Sequence, residues 1–209
     1  MKQCVIFCGG EFDSLHTPIP DGSFVIAADK GLEYTKKLGL SPDLILGDFD
    51  SLGYVPEQAE VFPVQKDDTD AMLAVRAGLD AGCGEFFLYA ALDGERVDHT
   101  MANFQLLAFL ADQGAKGTLL GLRQCATVIK NGAIRFPQEY EGGFSVFCLG
   151  AEAEQTCIRG GAYEAENITL TPAFPLGVSN HFIGNDVSIR VEKGSLLVLW
   201  DTCNGFPER

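Results

Sequence analysis

Along the first 122 residues, short and nearly continuous apolar runs alternate with stretches whose apolar residues recur at helical spacing. The runs at 3–7, 24–28, 44–46, 60–64, 85–90 and 117–122 read as strands. Their lack of polar alternation suits parallel strands covered on both faces. Residues 32–38, 70–81 and 99–113 read as helices, and in the middle one Met72, Leu73, Val75, Ala77 and Leu79 supply the apolar side. Alternating strand and helix predict an α/β fold built on an open, mostly parallel sheet with flanking helices.

From residue 123 the pattern changes. Gly and Asn punctuate short segments, as at Lys130-Asn131-Gly132 and Glu141-Gly142-Gly143. Val187, Ile189 and Val191 alternate with Ser188, Arg190 and Glu192, and Lys193-Gly194 separates them from the apolar run 195–200. That arrangement predicts a β-hairpin. No helical spacing occurs here, so the carboxy-terminal part reads as a smaller all-β sandwich or barrel. The expected division is an α/β domain over residues 1–123 and a β-sandwich domain over 124–209.

Charge narrows the partners. Lys and Arg number 15 against 29 Asp and Glu, a formal net charge of −14. A surface this acidic repels phosphate backbones, so nucleic acid is not an expected partner. Any nucleotide bound here needs a metal ion or local basic groups beside it. No apolar run is long enough to span a membrane, and the apolar stretch after Lys2 is too short for a secretory signal. The seven cysteines are odd in number and never spaced Cys-x-x-Cys. They predict buried thiols in a reduced, cytoplasmic protein.

In open α/β sheets, ligands bind beyond the carboxyl ends of the strands. Asp29 follows the run at 24–28, Asp48 and Asp50 follow 44–46, and Asp67, Asp68 and Asp70 follow 60–64. Any one of these could be a turn residue or a helix cap. Together they are harder to explain so. Close unpaired carboxylates repel by roughly 1–4 kcal/mol per pair at dielectrics of 80 to 20. Five aspartates between residues 48 and 70, with Lys66 among them, call for a cation. All-oxygen donors point to magnesium, which shares its coordination with substrate phosphates. Neither a P-loop nor a complete dinucleotide fingerprint is present, because Phe87 stands where the third glycine after Gly82 and Gly84 would be.

A third element runs from Leu92-Asp93-Gly94-Glu95-Arg96 through Val97-Asp98-His99-Thr100-Met101-Ala102-Asn103. Asp98 is placed to cap the helix, Arg96 falls near a helix amino terminus, and His99 and Asn103 share a helix face. With Ala28-Asp29-Lys30-Gly31, Pro42 to Ser51, and Lys66-Asp67-Asp68-Thr69-Asp70, this element resembles the thiamine pyrophosphokinase family in order and spacing across the first 110 residues. Gly161-Ala162-Tyr163 and Val178-Ser179-Asn180 extend the resemblance more faintly.

The resemblance implies Mg2+-dependent transfer of the β,γ-pyrophosphoryl group of ATP to the thiamine hydroxyl, with release of AMP. It also implies a homodimer with thiamine between subunits. On that template Asp48, Asp50 and Asp70 hold magnesium, Arg96 contacts phosphate, and Asp98 orients or deprotonates the hydroxyl. Asp29, Lys30, Ser51, Thr69, His99 and Asn103 fall on the ATP side. Tyr163, Ser179 and Asn180 fall on the thiamine side. Two positions depart from the family pattern: Glu95 stands where glycine is usual, placing a carboxylate beside the phosphate path, and Lys30 also replaces a common glycine. The residues alone leave open a diphosphokinase for another hydroxymethyl heterocycle such as a pterin. A metal-dependent nucleotide-sugar transferase and a non-catalytic nucleotide or divalent-ion binding module are the other readings.

Overall fold

Five-residue strands at Gln3–Phe7 (β1) and Phe24–Ala28 (β2) pair in parallel and bury nearly every side chain. This computed structural model describes residues 1–15 and 17–208, apart from the side chain of Cys203. The remaining strands of the amino-terminal part are β3 (Leu44–Gly47), β4 (Glu60–Val61), β5 (Glu85–Tyr89) and β6 (Lys116–Leu120). The helices are α1 (Gly31–Lys37), α2 (Asp70–Asp80) and α3 (Val97–Asp112). β4 is shorter than expected, and Phe62 adds only one further backbone bond, to the Gly47 carbonyl.

Eight more strands follow: β7 (Gln124–Lys130), β8 (Ala133–Phe136), β9 (Gly143–Cys148), β10 (Ala153–Arg159), β11 (Ala165–Leu170), β12 (Asn180–His181), β13 (Val187–Arg190) and β14 (Ser195–Asp201). The molecule is a mixed α/β fold with one large sheet and few helices. That sheet has ten strands in the order β12-β9-β14-β7-β6-β5-β1-β2-β3-β4. Its β6-to-β4 half is parallel throughout. β7 then pairs antiparallel with β6, Thr127 opposite Thr118, so hydrogen bonding continues across residues 121–123.

The predicted β13–β14 hairpin does not form. β13 pairs with β8 and β10 in a separate four-stranded sheet, whereas β14 pairs with β7 and β9 in the large one. Lys193-Gly194 is a crossing between sheets. Gly194 has φ +110, and a Cβ there would lie 2.3 Å from the Glu152 carbonyl oxygen, so the chain turns where a side chain does not fit. Period-two alternation reports one covered face, which a sheet-changing strand pair satisfies as well as a hairpin does.

Alternation along β1 divides the core. Cys4 and Ile6 point to the side covered by α2 and α3, while Val5 and Phe7 point to the side where Phe12, Leu15, Tyr34 and Leu38 pack. In the antiparallel half the small sheet covers that second side, through Phe136 against Phe144, Phe182 and the fully buried Trp200.

Candidate active site

The chain leaves β1 toward β2, β3 and β4 on one side and returns to β5 on the other. A crevice therefore opens between β1 and β5, at the carboxyl ends of the strands. A cleft of about 760 Å3 lies there, within the range of small-ligand sites. Cys8-Gly9-Gly10 from β1 and Ala90-Ala91 from β5 form its floor. Gly10 donates to the Ala90 carbonyl at 2.9 Å, and a Cβ on Gly10 would fall 2.5 Å from that oxygen. The Gly9-Gly10 pair after the first strand is the signal by which this floor was readable, and residue-type reasoning passed over it.

Three loops present carboxylates to this cleft from strained backbone. Asp29, Phe49 and Ala90 have φ values of 49, 58 and 56, a left-handed conformation that costs non-glycine residues of order 1 kcal/mol or more each. The Phe49 ring is buried and anchors its turn, leaving Asp48 and Asp50 on the cleft side. Asp29 donates its amide to Leu46 at 2.8 Å, and Gly47 (φ +148) lets the two strand ends approach. One carboxylate oxygen from each of Asp29, Asp48 and Asp50 lies within 4.8 Å of the other two. Ser51 donates its hydroxyl to Asp29 Oδ2, while Asp29 Oδ1 is buried without a hydrogen-bond partner.

Asp70 is placed differently. Lys66 Nζ lies 2.7 Å from Asp48 Oδ2 and 3.1 Å from Asp70 Oδ1, and stands between the two. The Asp70 contact has ion-pair distance without hydrogen-bond alignment, so Asp70 Oδ1 is under-satisfied. The hydrogen bond from Lys66 holds the Asp48 carboxyl below its ordinary range. Burial pushes Asp70 up despite the same ammonium. Burial also pulls Lys66 down, but its two carboxylate partners outweigh this and leave it raised. Thr69 is the cap of α2, its hydroxyl accepting from Met72 N at 3.2 Å, and Asp68 pairs with Arg76.

His99 and Asn103 reach the same cleft from α3, Arg96 from the position just before it, and Lys30 and Glu95 from their loops. Asn103 is buried, and its amide donates to the Ala91 carbonyl at 2.6 Å, pinning the loop after β5. Asp98 does not cap α3. The helix starts at Val97 without a side-chain cap, and the Asp98 carboxylate instead accepts two hydrogen bonds from the exposed Arg96 guanidinium. That pairing lowers Asp98 and raises Arg96.

Tyr163, Ser179 and Asn180 lie outside this cleft in the single chain. Asn180 is buried and committed inward: its oxygen accepts from Tyr163 N at 3.0 Å and its nitrogen donates to Tyr163 O at 2.6 Å. Ser179 has φ 60 and donates its amide to Ser145 Oγ. The Tyr163 ring is exposed, as are Phe174, Leu176, Val178 and Ile183.

The sequence matches the family profile "Thiamin pyrophosphokinase, catalytic domain" over residues 15–119 and "Thiamin pyrophosphokinase, vitamin B1 binding domain" over 133–196. No curated protein matches it. Among solved structures it is similar to the thiamine pyrophosphokinase of Bacillus subtilis, at 22% identity and TM-score 0.81, covering 96% of this chain and 99% of that one. A thiamin pyrophosphokinase family protein from Enterococcus faecalis gives 25% identity and TM-score 0.81 with the same coverage. The yeast thiamin pyrophosphokinase gives 14% identity and TM-score 0.73, covering 96% of this chain and 86% of that one. The chain belongs to the thiamin pyrophosphokinase family and has its thiamine diphosphokinase activity.

Proposed function

We propose that this chain transfers the β,γ-pyrophosphoryl group of ATP to the hydroxyl of thiamine, giving thiamine diphosphate and AMP, with Mg2+ held by the acidic cluster. The observation that carries the reading is the convergence of Asp29, Asp48 and Asp50 at the switch-point cleft. The donor set fits a hard divalent cation: all donors are carboxylate oxygens, and Asp29 Oδ1 is buried without a partner. Asp48 and Asp50, with Asp29 beside them and Asp70 across Lys66, are the residues that would hold it. Such a cation would offset phosphate charge in a site that otherwise repels polyphosphate.

The chain's own residues supply positioning, which is most of what phosphoryl chemistry asks of a protein. In the reaction an O–P bond forms between the thiamine hydroxyl and the β-phosphorus. The bond from that phosphorus to the oxygen shared with the α-phosphate breaks, and AMP leaves with that oxygen. Lys30, Lys66 and Arg96 offer positive charge along the cleft, and the uncapped start of α3 leaves an amino terminus open to an anion. Asp98 would receive or orient the hydroxyl proton once its pairing with Arg96 gives way to substrate. Thr69, Ser51 and Asn103 act by holding α2, Asp29 and the β5 loop in place.

A homodimer belongs to the same reading. Tyr163 and Ser179 sit away from the cleft of their own chain, beside exposed Phe174, Leu176, Val178 and Ile183, which supports completion of the thiamine side by a second copy. Asn180 then contributes by fixing the Tyr163 loop. Cys4, Cys8, Cys83, Cys148 and Cys157 are thiols, and among the described residues no helix is long and apolar enough to cross a membrane; the thiols support a reducing, cytoplasmic setting. The test of the site is Asp50→Asn: thiamine diphosphate formation should collapse while circular dichroism stays unchanged. A folded variant with near-normal turnover would remove the assignment.

A further inference from the structure

Lys66 is inserted by the fold among the carboxylates, between Asp48 and Asp70, rather than beside them. It lies in the loop before α2, four residues ahead of Asp70, with its side chain 13% exposed. Asp48 and Asp70, its partners, are 12% and 23% exposed. The ammonium donates to Asp48 Oδ2 at 2.7 Å and to the Pro63 carbonyl at 3.3 Å, and it lies at ion-pair distance, 3.1 Å, from Asp70 Oδ1. A surface lysine in solvent gains little from such an arrangement. Here the group is partly desolvated, so its charge is felt strongly by whatever else binds those oxygens.

A divalent cation on Asp48 meets this ammonium as a like charge. Magnesium binds carboxylate oxygen at about 2.0–2.1 Å, which brings it against the same face that Lys66 occupies. The two cations compete. Lysine is a compact charge on a flexible stem, able to exchange a carboxylate for a phosphate oxygen without moving the backbone.

We infer that Lys66 is a built-in counter-ion of this site: it bridges Asp48 and Asp70 when no divalent cation is bound, opposes binding of that cation alone, and so ties cation binding to the arrival of the polyphosphate. This rests on the functional reading above for the identity of the polyphosphate, but not for the competition itself. Lys66 is a positioning residue here. Its effect reaches the reaction through the carboxylates and through the charge it hands to the incoming anion.

The test uses the full chain and Mn2+ as the probe, titrated by calorimetry with and without the α,β-methylene analogue of ATP. The comparison is wild type against Lys66→Met and Lys66→Arg. In Lys66→Met, Mn2+ alone should bind at least ~10-fold more tightly than in wild type, about 1.4 kcal/mol. The enhancement of Mn2+ affinity by the analogue should be larger in wild type than in Lys66→Met. Lys66→Arg should keep the wild-type pattern, because it keeps the charge. Equal or weaker Mn2+ binding by a folded Lys66→Met protein overturns the inference, and Lys66→Gln serves the same comparison if the methionine variant does not fold. Wild-type protein that shows the competition but forms no thiamine diphosphate leaves the counter-ion role standing and removes the functional reading instead.

Discussion

Replacing Asn180 by leucine separates a structural role from a substrate contact. The residue is 4% exposed. Its amide closes a two-way bridge to the backbone of Tyr163, accepting from N at 3.0 Å and donating to O at 2.6 Å, and also accepts from His181 N at 2.9 Å. Leucine preserves volume and removes all three bonds. A buried polar group left unpaired costs about 1–3 kcal/mol. Tyr163 N, Tyr163 O and His181 N lose their partner, but both residues are exposed and water offsets part of the cost, so the expected loss is about 2–4 kcal/mol. At roughly 2–4 °C per kcal/mol for a chain of this length, the melting midpoint should fall by roughly 4–16 °C. Urea denaturation followed by circular dichroism measures the loss directly, with an unchanged m-value as the check that the unfolded state is the same. A loss under about 1 kcal/mol with a raised KM for thiamine would refute the reasoning, since the amide would then be free to meet substrate and the bridge dispensable.

Other substitutions probe the floor and walls of the cleft. Asp29→Asn should lower turnover roughly 100-fold, as removal of a preorganised charge does, while Asp67→Asn, on an exposed position, serves as the control that stays near wild type in a product-formation assay. Gly10→Ala drives a Cβ to within 2.5 Å of the Ala90 oxygen and 2.7 Å of the Asp93 oxygen, both backbone, and should cost about 1–3 kcal/mol in urea unfolding and raise the KM for ATP. Thr69→Ala should cost about 1 kcal/mol of stability, largely restored in Thr69→Ser. The raised Lys66 makes its contribution to stability complete below its ordinary pKa of 10.5 and lost as pH rises through the folded value. In chelator, the melting temperature of wild type should therefore fall at alkaline pH by a step that Lys66→Met lacks.

The parallel half was legible because burial on both faces writes itself as uninterrupted apolar runs, and because ligands in such sheets gather at strand ends. That is why Asp29, Asp48 and Asp50 could be placed at one edge from spacing alone. The pairing of β13 and β14 was not legible, since alternation shows that a strand has a covered face without saying which sheet covers it. Asp98 misled for a similar reason: a carboxylate near a helix start suits both a cap and an ion pair, and the adjacent Arg96 decides between them only in three dimensions. The separation of Asp70 from the other three carboxylates depends on where Lys66 reaches across from its loop, and no periodicity carries that. Asn180 was found by resemblance, but its commitment to the Tyr163 backbone is a contact across seventeen residues that only the fold reveals.

The central claim is transfer of two phosphates as a unit, and the nucleotide left behind reports it. The protein should be incubated with Mg2+, thiamine and ATP labelled at the β-phosphate, and the products separated. AMP in equal amount to labelled thiamine diphosphate is the expected result. ADP with thiamine monophosphate, or nucleotide turnover that does not depend on thiamine, would contradict it.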